Sequence, residues 1–523
     1  MADDTICNVF GYVPTGLIPV NGKPIIFHIL KQFINNNIYD VFIGVDYKTN
    51  DIKNVLDTYF KNILNVKFVY TDKDKGVGNS LLTVLNHISH GQVVVNLADT
   101  YIKDLNYKNL KDKIVVSKKF TDGRRWSSLK KSKINGTLKF FNKKEIGSNH
   151  FVITGLYFLS NLSAIRDFQI NSDKIEITDL LEHYIKLKNK LELFETKDWM
   201  DFGHIDQYYR SKKMLIQSRE FNRLEYDDFF GTITKRSLNK KKFKNEILWY
   251  INLPNELKIV SPRVIDYSVD RNMYLKSEYY SYPSLSEVWL FSDLNDNISK
   301  SIINKLFKII KLFSSIKRKV KRSDYQNIYI EKTIKRVSNI KNKRILDLMS
   351  VPKIIINDVE YNNWHSIKAE MFDRVKLLYQ KKDNCLIHGD FCFSNILYDL
   401  RSGLFKLIDP RGVWGESENG DIKYDIAKLR HSLSGNYDYI MSDLYNLKFS
   451  ENKEISYSIF SKNKDNIQSY FDEKVKELHN LDDIKLIQGL LFISMIPLHS
   501  DSEDRQVLMF CKGIESLNEV LNS

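Results

Sequence analysis

The chain has 523 residues, and at about 100 to 200 residues per domain this predicts two to four domains and excludes a single small binding module. Hydrophobic residues at 43%, charged residues at 28% and aromatics at 12% exclude a disordered chain. The 79 basic against 65 acidic residues leave a net charge of +14, which points to anionic partners without separating nucleic acid from nucleotides or phosphorylated metabolites.

The four cysteines, Cys7, Cys385, Cys392 and Cys511, show no C-x-x-C spacing and no neighbouring histidine cluster to hold zinc, so reduced thiols are expected. The opening MADDTICNVF has no basic segment followed by an apolar one. The longest apolar stretch, LLFISMIP near residues 490–497, ends in Pro497 and falls short of the about 20 residues a membrane span needs. These features predict a cytoplasmic protein without a membrane span.

In chain order, the β-branched runs VFIGVD (41–46), VKFVY (66–70) and VVVNLAD (93–99) alternate with amphipathic helical stretches up to about residue 210. That alternation predicts a parallel sheet covered by helices. From about residue 216 the pattern turns to hairpin-like runs (FFGTITKRS, PRVIDYS, MYLKSEYY), and after about 284 to mostly helical periodicity. Basic clusters stand at 235–244 and 317–322. Neither carries interleaved aromatics for base stacking, so a solvated face is the first reading and nucleic-acid binding a minor one.

Within the first part, GLIPVNGKPIIFHILKQFINNNIYDVFIGVDY (16–47), Gly76-Val77-Gly78-Asn79-Ser80 before a helix, VVVNLADT ending near Asp99, and DWMDFGHIDQYY around Asp201 follow one another. In that order they resemble the sugar-phosphate nucleotidyltransferase family over roughly residues 8–210. The resemblance implies a Rossmann-like, GT-A type domain over 1–215, in which Asp99 and Asp201 hold the Mg²⁺ that bridges the nucleotide α-phosphate and the incoming phosphate. The family opens with a glycine-rich L-A-A-G-x-G-x-R loop followed by Pro-Lys. Here the opening is ICNVFGYVPTG, with Gly11 alone and Thr15 at the lysine position. Lys23, Lys75 or Lys118 would have to replace the missing phosphate donors, Lys23 being the nucleotide-binding candidate.

In the second part, LIHGDFCFSNIL (386–397), KLIDPRG (406–412) and GDIKYDIAKL (420–429) carry the strongest pattern. Phosphoryl transfer needs one carboxylate beside the accepting hydroxyl, and a second with an amide oxygen to hold Mg²⁺ on the nucleotide. Asp390, Asn395 and Asp409 supply that set in order, with Asp390 serving the acceptor and Asn395 and Asp409 the metal. The motif H-G-D-x-x-x-x-N followed by I-D resembles the aminoglycoside phosphotransferase and choline kinase family. The resemblance implies a bilobal protein-kinase-like α+β domain, with a small lobe over 216–283 and a large lobe over 284–523. It gives His388 a supporting place in the catalytic loop, and Gly420-Asp421 and Asp425 a bracing one. It also implies a strand lysine on the nucleotide phosphates and a helical glutamate holding it. GTITKRS and KNEILWYINLP offer Lys235 and Glu246, with Arg236 and Lys240 as alternatives to the lysine. LKSEYY (275–280) would link the lobes and meet the adenine, and no glycine-rich loop is visible beyond Gly231. Arg411, directly after Asp409-Pro410, would either contact a phosphate or acidic acceptor or pair with Asp421 or Asp425.

The two resemblances together imply a bifunctional enzyme of nucleotide-activated surface-glycan precursor synthesis, as for capsule or lipopolysaccharide. ATP would phosphorylate a small hydroxylated acceptor (choline, ethanolamine, a polyol or a sugar), and CTP or another NTP would then be joined to the resulting phosphate. The alternative is a single-activity kinase whose nucleotidyltransferase-like domain is a degenerate scaffold.

Overall fold

A computed structural model describes all residues except 1–3, 12, 47–49, 90, 119–123, 135, 145–149, 170–171, 188–189, 216–221, 416, 418, 451–453, 462–464 and 523. The chain forms two compact units, one of Met1–Cys7 with Val13–Leu215, the other of Asn8–Tyr12 with Ile216–Ser523. Among the described residues no disulfide joins any of the four cysteines, and no helix is long and apolar enough to cross a membrane.

In the first unit a hairpin turns on Asn21-Gly22, both at positive φ, as a two-residue turn between antiparallel strands requires. Helix α1 (Ile25–Asn35) follows, then the parallel pair β1 (Asp40–Val45) and β2 (Asn65–Tyr70), with α2 (Asn50–Phe60) between them. Beyond α3 (Val77–Leu85) come β3 (Val93–Asn96), β4 (Thr100–Ile102), β5 (Lys113–Ser117), β6 (Ser128–Lys131), β7 (Leu138–Phe141) and β8 (Phe151–Leu159). Strand β8 is buried along almost its whole length and runs antiparallel to β3, β5 and β6.

Past α4 (Ile177–Lys186), β9 (Glu192–Glu195) adds to β5 in parallel, while β10 (Trp199–Asp201) pairs antiparallel with β4 ahead of α5 (Ile205–Met214). The unit is therefore α/β, but its sheet is mixed rather than parallel. The reason is physical: a strand covered on both faces reads as a continuous apolar run whichever way its neighbours point, so the sequence reports burial and not direction. Strands β1 and β3, both in the expected parallel series, are not paired with each other. A cavity of about 520 Å³ lies between them, lined by Val41, Ile43, Val93 and Val95 and roofed by Ile29 and Leu30.

The second unit opens with an antiparallel sheet in the order β11 (Asn222–Asp227), β12 (Thr232–Ser237), β14 (Tyr274–Glu278), β13 (Val264–Ser268). Helix α6 (Lys240–Ile251) connects β12 to the rest, N-capped by the Asn239 side chain, which accepts from the Lys242 N–H. The supposed linker LKSEYY is β-strand up to Glu278, so only Tyr279 and Tyr280 of it continue toward α7 (Leu285–Phe291).

The remainder is mainly helical: α8 (Asp296–Ser315), α9 (Lys332–Val337), α10 (Ile422–Leu433), α11 (Leu481–Met495) and α12 (Glu503–Leu521). It also contains strands that the helical periodicity did not announce. Lys353–Ile356 and Val359–Asn362 form a hairpin on Asn357-Asp358, both at positive φ, and join Ile455–Ile459 and Tyr445–Phe449 in one sheet. The Asn-Asp pair between apolar runs was the available signal. Near the motif residues lie β15 (Asn384–Leu386), paired with β18 (Asn419–Asp421), and β16 (Ile396–Asp399), paired with β17 (Leu404–Leu407).

Candidate active sites

In the first unit the functional pair grows out of the β4–β10 ladder. Register places Asp201 opposite Thr100, and the Phe202 N–H donates to the Asp99 carbonyl at 2.9 Å, so both carboxylates leave the same end of that ladder. Ala98 precedes them at φ 66, a left-handed conformation that few side chains adopt, held by its N–H on the Asn96 side chain at 2.9 Å. A Cβ on Gly203 would stand 2.6 Å from Asp99 Oδ2 and 3.3 Å from Asp201 Oδ1, so only glycine lets the chain pass between the two carboxylates.

Asp201 accepts from Trp126 Nε1 at 3.0 Å, the Gly203 N–H at 2.8 Å and His204 Nδ1 at 2.7 Å. Burial and the neighbouring Asp201 push the Asp99 carboxyl up to about 7, with His204 pulling the other way. Two hard oxygen donors that repel each other are what a divalent cation relieves. Trp126 and His204 were not picked out from sequence, although His204 lies within the quoted DFGHID segment.

The candidate lysines sit elsewhere in this unit. Lys23 Nζ donates to the Tyr59 hydroxyl at 3.0 Å and lies over the Tyr59 ring. Lys75 is 4.0 Å from Asp72, and Lys118 pairs with Glu195 at 3.1 Å. Thr15 starts a single 3₁₀ turn, Asp4–Phe10 is helical, and Gly11 bridges to Asp293 within the second unit. The Gly78 N–H donates to the Ile175 carbonyl at 2.9 Å, so the glycine segment before α3 packs against backbone.

In the second unit Lys235, on β12, stands 2.7 Å from Glu246 Oε1 of α6 and 2.7 Å from Asp409 Oδ1. Burial opposes the Lys235 charge, but Asp409 and Glu246 outweigh it and raise its pKa. Burial, aided by Asp409, pushes Glu246 up to about 7 against the pull of Lys235. The contact depends on Gly412. At φ 76, its missing Cβ would lie 2.2 Å from the Asn245 carbonyl, so the segment after Asp409 packs directly on α6 beside Glu246.

Asp409 itself has φ 54, a conformation that Asp tolerates better than most residues. The Ile408 N–H donates to the Asn395 carbonyl at 3.0 Å and the Arg411 N–H to the His388 carbonyl at 2.9 Å, which tie the Asp409 segment to the HGD loop. Asn395 spends its amide N–H on the Asp390 carbonyl at 2.9 Å and on Asp390 Oδ2 at 3.0 Å, leaving its amide oxygen as an acceptor.

Asp390 is gripped by Lys428 at 3.0 Å. Burial opposes its charge, yet Lys428 keeps the carboxyl well below the usual carboxylate range. His388 donates from Nε2 to the Ile408 carbonyl at 3.1 Å and accepts from the Asp390 N–H at 3.3 Å, while burial lowers its pKa to about 4. A neutral imidazole spent on backbone supports the loop. Asp425 accepts from the His388 N–H at 2.7 Å and the Gly389 N–H at 2.9 Å, and Asp421 caps α10 through the Lys423 N–H at 3.0 Å.

Arg411 pairs with neither Asp421 nor Asp425, because those carboxylates are taken by backbone N–H groups; its Nη1 donates to the Tyr424 hydroxyl at 2.9 Å. Lys428 and Tyr424 were not singled out from sequence. Their spacing of four on α10, one turn after the Asp421 cap, was the signal that places them on one face.

Among the described residues no group of three or more His, Cys, Asp or Glu is placed to hold a metal ion. The donor sets present, two carboxylates in the first unit and a carboxylate with an amide oxygen in the second, suit Mg²⁺, which takes one or two protein oxygens and completes its octahedron with phosphates and water.

No protein-family model matches the chain. Its N-terminal 200 or so residues match sugar-phosphate nucleotidyltransferases. They are 31% identical over 203 residues to the bifunctional protein GlmU of Methanococcus maripaludis, covering 36% of this chain and 46% of the relative. Identity to D-glycero-alpha-D-manno-heptose 1-phosphate guanylyltransferase of Campylobacter jejuni is 25% over 205 residues, covering 38% and 88%. The crystal structure of HddC from Yersinia pseudotuberculosis matches at 21% identity and a TM-score of 0.33, covering 39% and 92%. The chain spans about half the length of the GlmU relatives it matches.

Proposed function

We propose that the protein is a bifunctional transferase: its second unit phosphorylates a small hydroxylated acceptor with ATP, and its first unit joins the resulting phosphomonoester to a nucleotide. The observation that carries the phosphotransferase half is the Lys235 ammonium held between Glu246 and Asp409, with Asn395 and Asp390 linked beside it. Lys235 would bind the nucleotide phosphates, and Glu246 would hold Lys235 in place. Asp409 and the Asn395 amide oxygen would hold Mg²⁺, which when bound neutralises charge on the transferring phosphoryl group.

Asp390 would accept the hydroxyl hydrogen of the acceptor. With Lys428 holding its pKa low it is a weak base, so its contribution is to aim the oxygen, which suits a loose transition state that asks little of a base. The nucleotidyltransferase half is supported by the match of the N-terminal residues and by the Asp99–Asp201 pair around Gly203. A place in surface-glycan precursor synthesis fits the heptose phosphate named for one relative.

The degenerate-scaffold alternative is favoured by Thr15 and by the helix at Asp4–Phe10 where the family carries its glycine-rich loop. The test is to incubate the full-length protein with Mg²⁺, ATP, each of the other common NTPs and a pool of small alcohols and sugars, and to read products by mass. A phosphorylated and then a nucleotidylated acceptor is the expected pair. Phosphorylated product alone leaves the scaffold reading, and neither product removes the proposal.

A further inference from the structure

Beside Asp390, four cations act on one phenol, that of Tyr424. Arg411 Nη1 donates to the Tyr424 hydroxyl at 2.9 Å, Lys332 Nζ lies 5.6 Å from the centre of the Tyr424 ring, and Lys428, one turn along α10 from Tyr424, holds Asp390 at 3.0 Å. Arg336, one turn after Lys332 on α9, donates from Nη1 to the Ser494 carbonyl at 3.2 Å. Lys428 is matched by Asp390. Among the described residues no ion pair joins Lys332, Arg336 or Arg411 to any carboxylate.

Asp390 also acts on Arg411, but among the described residues no carboxylate acts on Lys332 or Arg336, and part-buried cations left without a counter-charge are costly to keep together unless an anion binds there. Burial, with Arg411, Arg336 and Lys428 nearby, pushes the Lys332 ammonium down to about 8. Burial raises the Tyr424 phenol, yet Lys332, Arg411 and Lys428 outweigh it and bring it down to about 8. A π-helical segment, Gln326–Glu331, ends immediately before Lys332 and is anchored by the Tyr329 hydroxyl on Asp421 at 3.2 Å. Such π-turns break the regular spacing of a helix and gather at functional sites, and this one directly precedes Lys332. The nucleotide side has its own cation, because the charges acting on Lys235 are Asp409 and Glu246.

We infer that the acceptor bound beside Asp390 carries an anionic group, a carboxylate or a phosphate, recognised by Lys332, Arg336 and Arg411, so that the substrate is a hydroxy acid or a sugar phosphate rather than a neutral polyol or an aminoalcohol. The inference rests on the phosphotransferase reading. Choline and ethanolamine fit poorly, since the cation position over the Tyr424 ring is already taken by Lys332. In the reaction the acceptor hydroxyl oxygen forms a bond to the γ-phosphorus of ATP. The bond from that phosphorus to the β,γ-bridging oxygen breaks, ADP leaves, and the hydroxyl proton passes by way of Asp390 to solvent.

The experiment gives the full-length protein Mg²⁺ and ATP with glycerol, ribitol and choline on one side and D-glycerate, D-gluconate, glycerol phosphate and glucose 6-phosphate on the other. ADP release and product mass are followed, and Mg·ATP binding is measured separately. Phosphorylation of the acidic compounds, at least about tenfold above their neutral counterparts in kcat/KM, is expected, the carboxylate and phosphate arms telling which anion is read. Lys332→Met and Arg336→Met should raise KM for the acidic acceptor roughly 10- to 100-fold with KM for ATP unchanged, and Lys332→Arg should recover most of the loss. Preference for glycerol, ribitol or choline, or Mg·ATP binding with no acidic product, overturns the anionic acceptor and leaves the kinase reading standing. Absence of both Mg·ATP binding and any phosphorylated product overturns both.

Discussion

Lys235 donates to Asp409 at 2.7 Å across 174 positions of the chain, while the same ammonium donates to Glu246 at 2.7 Å. One cation thus serves two carboxylates, and without nucleotide phosphates it is the main counter-charge that either has. Lys235→Met removes that charge from the buried Glu246 and from the part-exposed Asp409. The expected result is a fall in kcat/KM for ATP on the order of 10² to 10³, as for loss of one preorganised contact to transferring charge. Glu246→Gln keeps the shape and should cost less, roughly tenfold, because Lys235 retains Asp409. Steady-state kinetics on both variants checks the order; an equal loss from each would show that Glu246 is more than a holder.

Asp390 and Asp409 should separate acceptor chemistry from nucleotide binding. Asp390→Asn is expected to abolish phosphoryl transfer while Mg·ATP still binds, because Asp390 contacts Asn395 and Lys428 and stands on the acceptor side. Asp409→Asn is expected to weaken Mg²⁺-dependent ATP binding as well as turnover. Calorimetry with Mg·ATP beside turnover distinguishes the two, and unchanged Mg·ATP affinity in Asp409→Asn would displace the metal site from this residue.

The short-range grouping of the motif residues was legible because it is contiguous. His388, Asp390, Asn395 and Asp409 lie within 22 residues of one another, on the loop after β15 and at the two ends of the β16–β17 hairpin. Lys235 and Glu246 were legible from one strand and the next helix. The direction of the strands in the first unit was not, since burial on both faces hides it. Nor were Lys332 and Arg336 legible. Lys332 lies over the Tyr424 ring from a helix that follows directly on a π-helical segment, and nothing in QNIYIEKTIKR marks where the helix changes its spacing. Of the two readings open for Arg411, the pairing with Asp421 or Asp425 is absent because those carboxylates are committed to backbone N–H groups, and the guanidinium reaches Tyr424 instead.

Gly203→Ala tests whether the closeness of Asp99 and Asp201 matters. The added Cβ would lie 2.6 Å from Asp99 Oδ2, so one carboxylate must turn aside. A metal held by both should then bind roughly tenfold or more weakly. The Mg²⁺ dependence of nucleotidyl transfer reads this directly. Wild-type Mg²⁺ dependence in the variant would mean that the two acids do not act on one ion.

Asp99 separates the fold of the first unit from its activity. Its carboxyl is pushed from 3.8 to about 7 by burial and by Asp201. The folded protein therefore keeps a proton there that the unfolded chain has already released. The associated stability is fully present below about pH 4 and is lost as the pH climbs through 7. Asp99→Asn has no charge to bury, so it should be the more stable protein at pH 8, by on the order of a few kcal/mol, with the difference shrinking toward pH 4. Thermal unfolding at the two pH values measures this. In the intact protein Asp99 must be ionised to hold a cation, so nucleotidyl transfer should fall as the pH drops below about 7 unless Mg²⁺ is raised to compete with the proton. In Asp99→Asn the nucleotidylated product should vanish while the phosphorylated acceptor accumulates, because Asp390, Asp409 and Lys235 belong to the other unit. Greater stability together with that accumulation would mark Asp99 as a group kept for chemistry at a cost to the fold. If the unaltered protein makes no nucleotidylated product from its own phosphorylated acceptor with any common NTP, the Asp99–Asp201 pair has lost its reaction and the first unit is a scaffold.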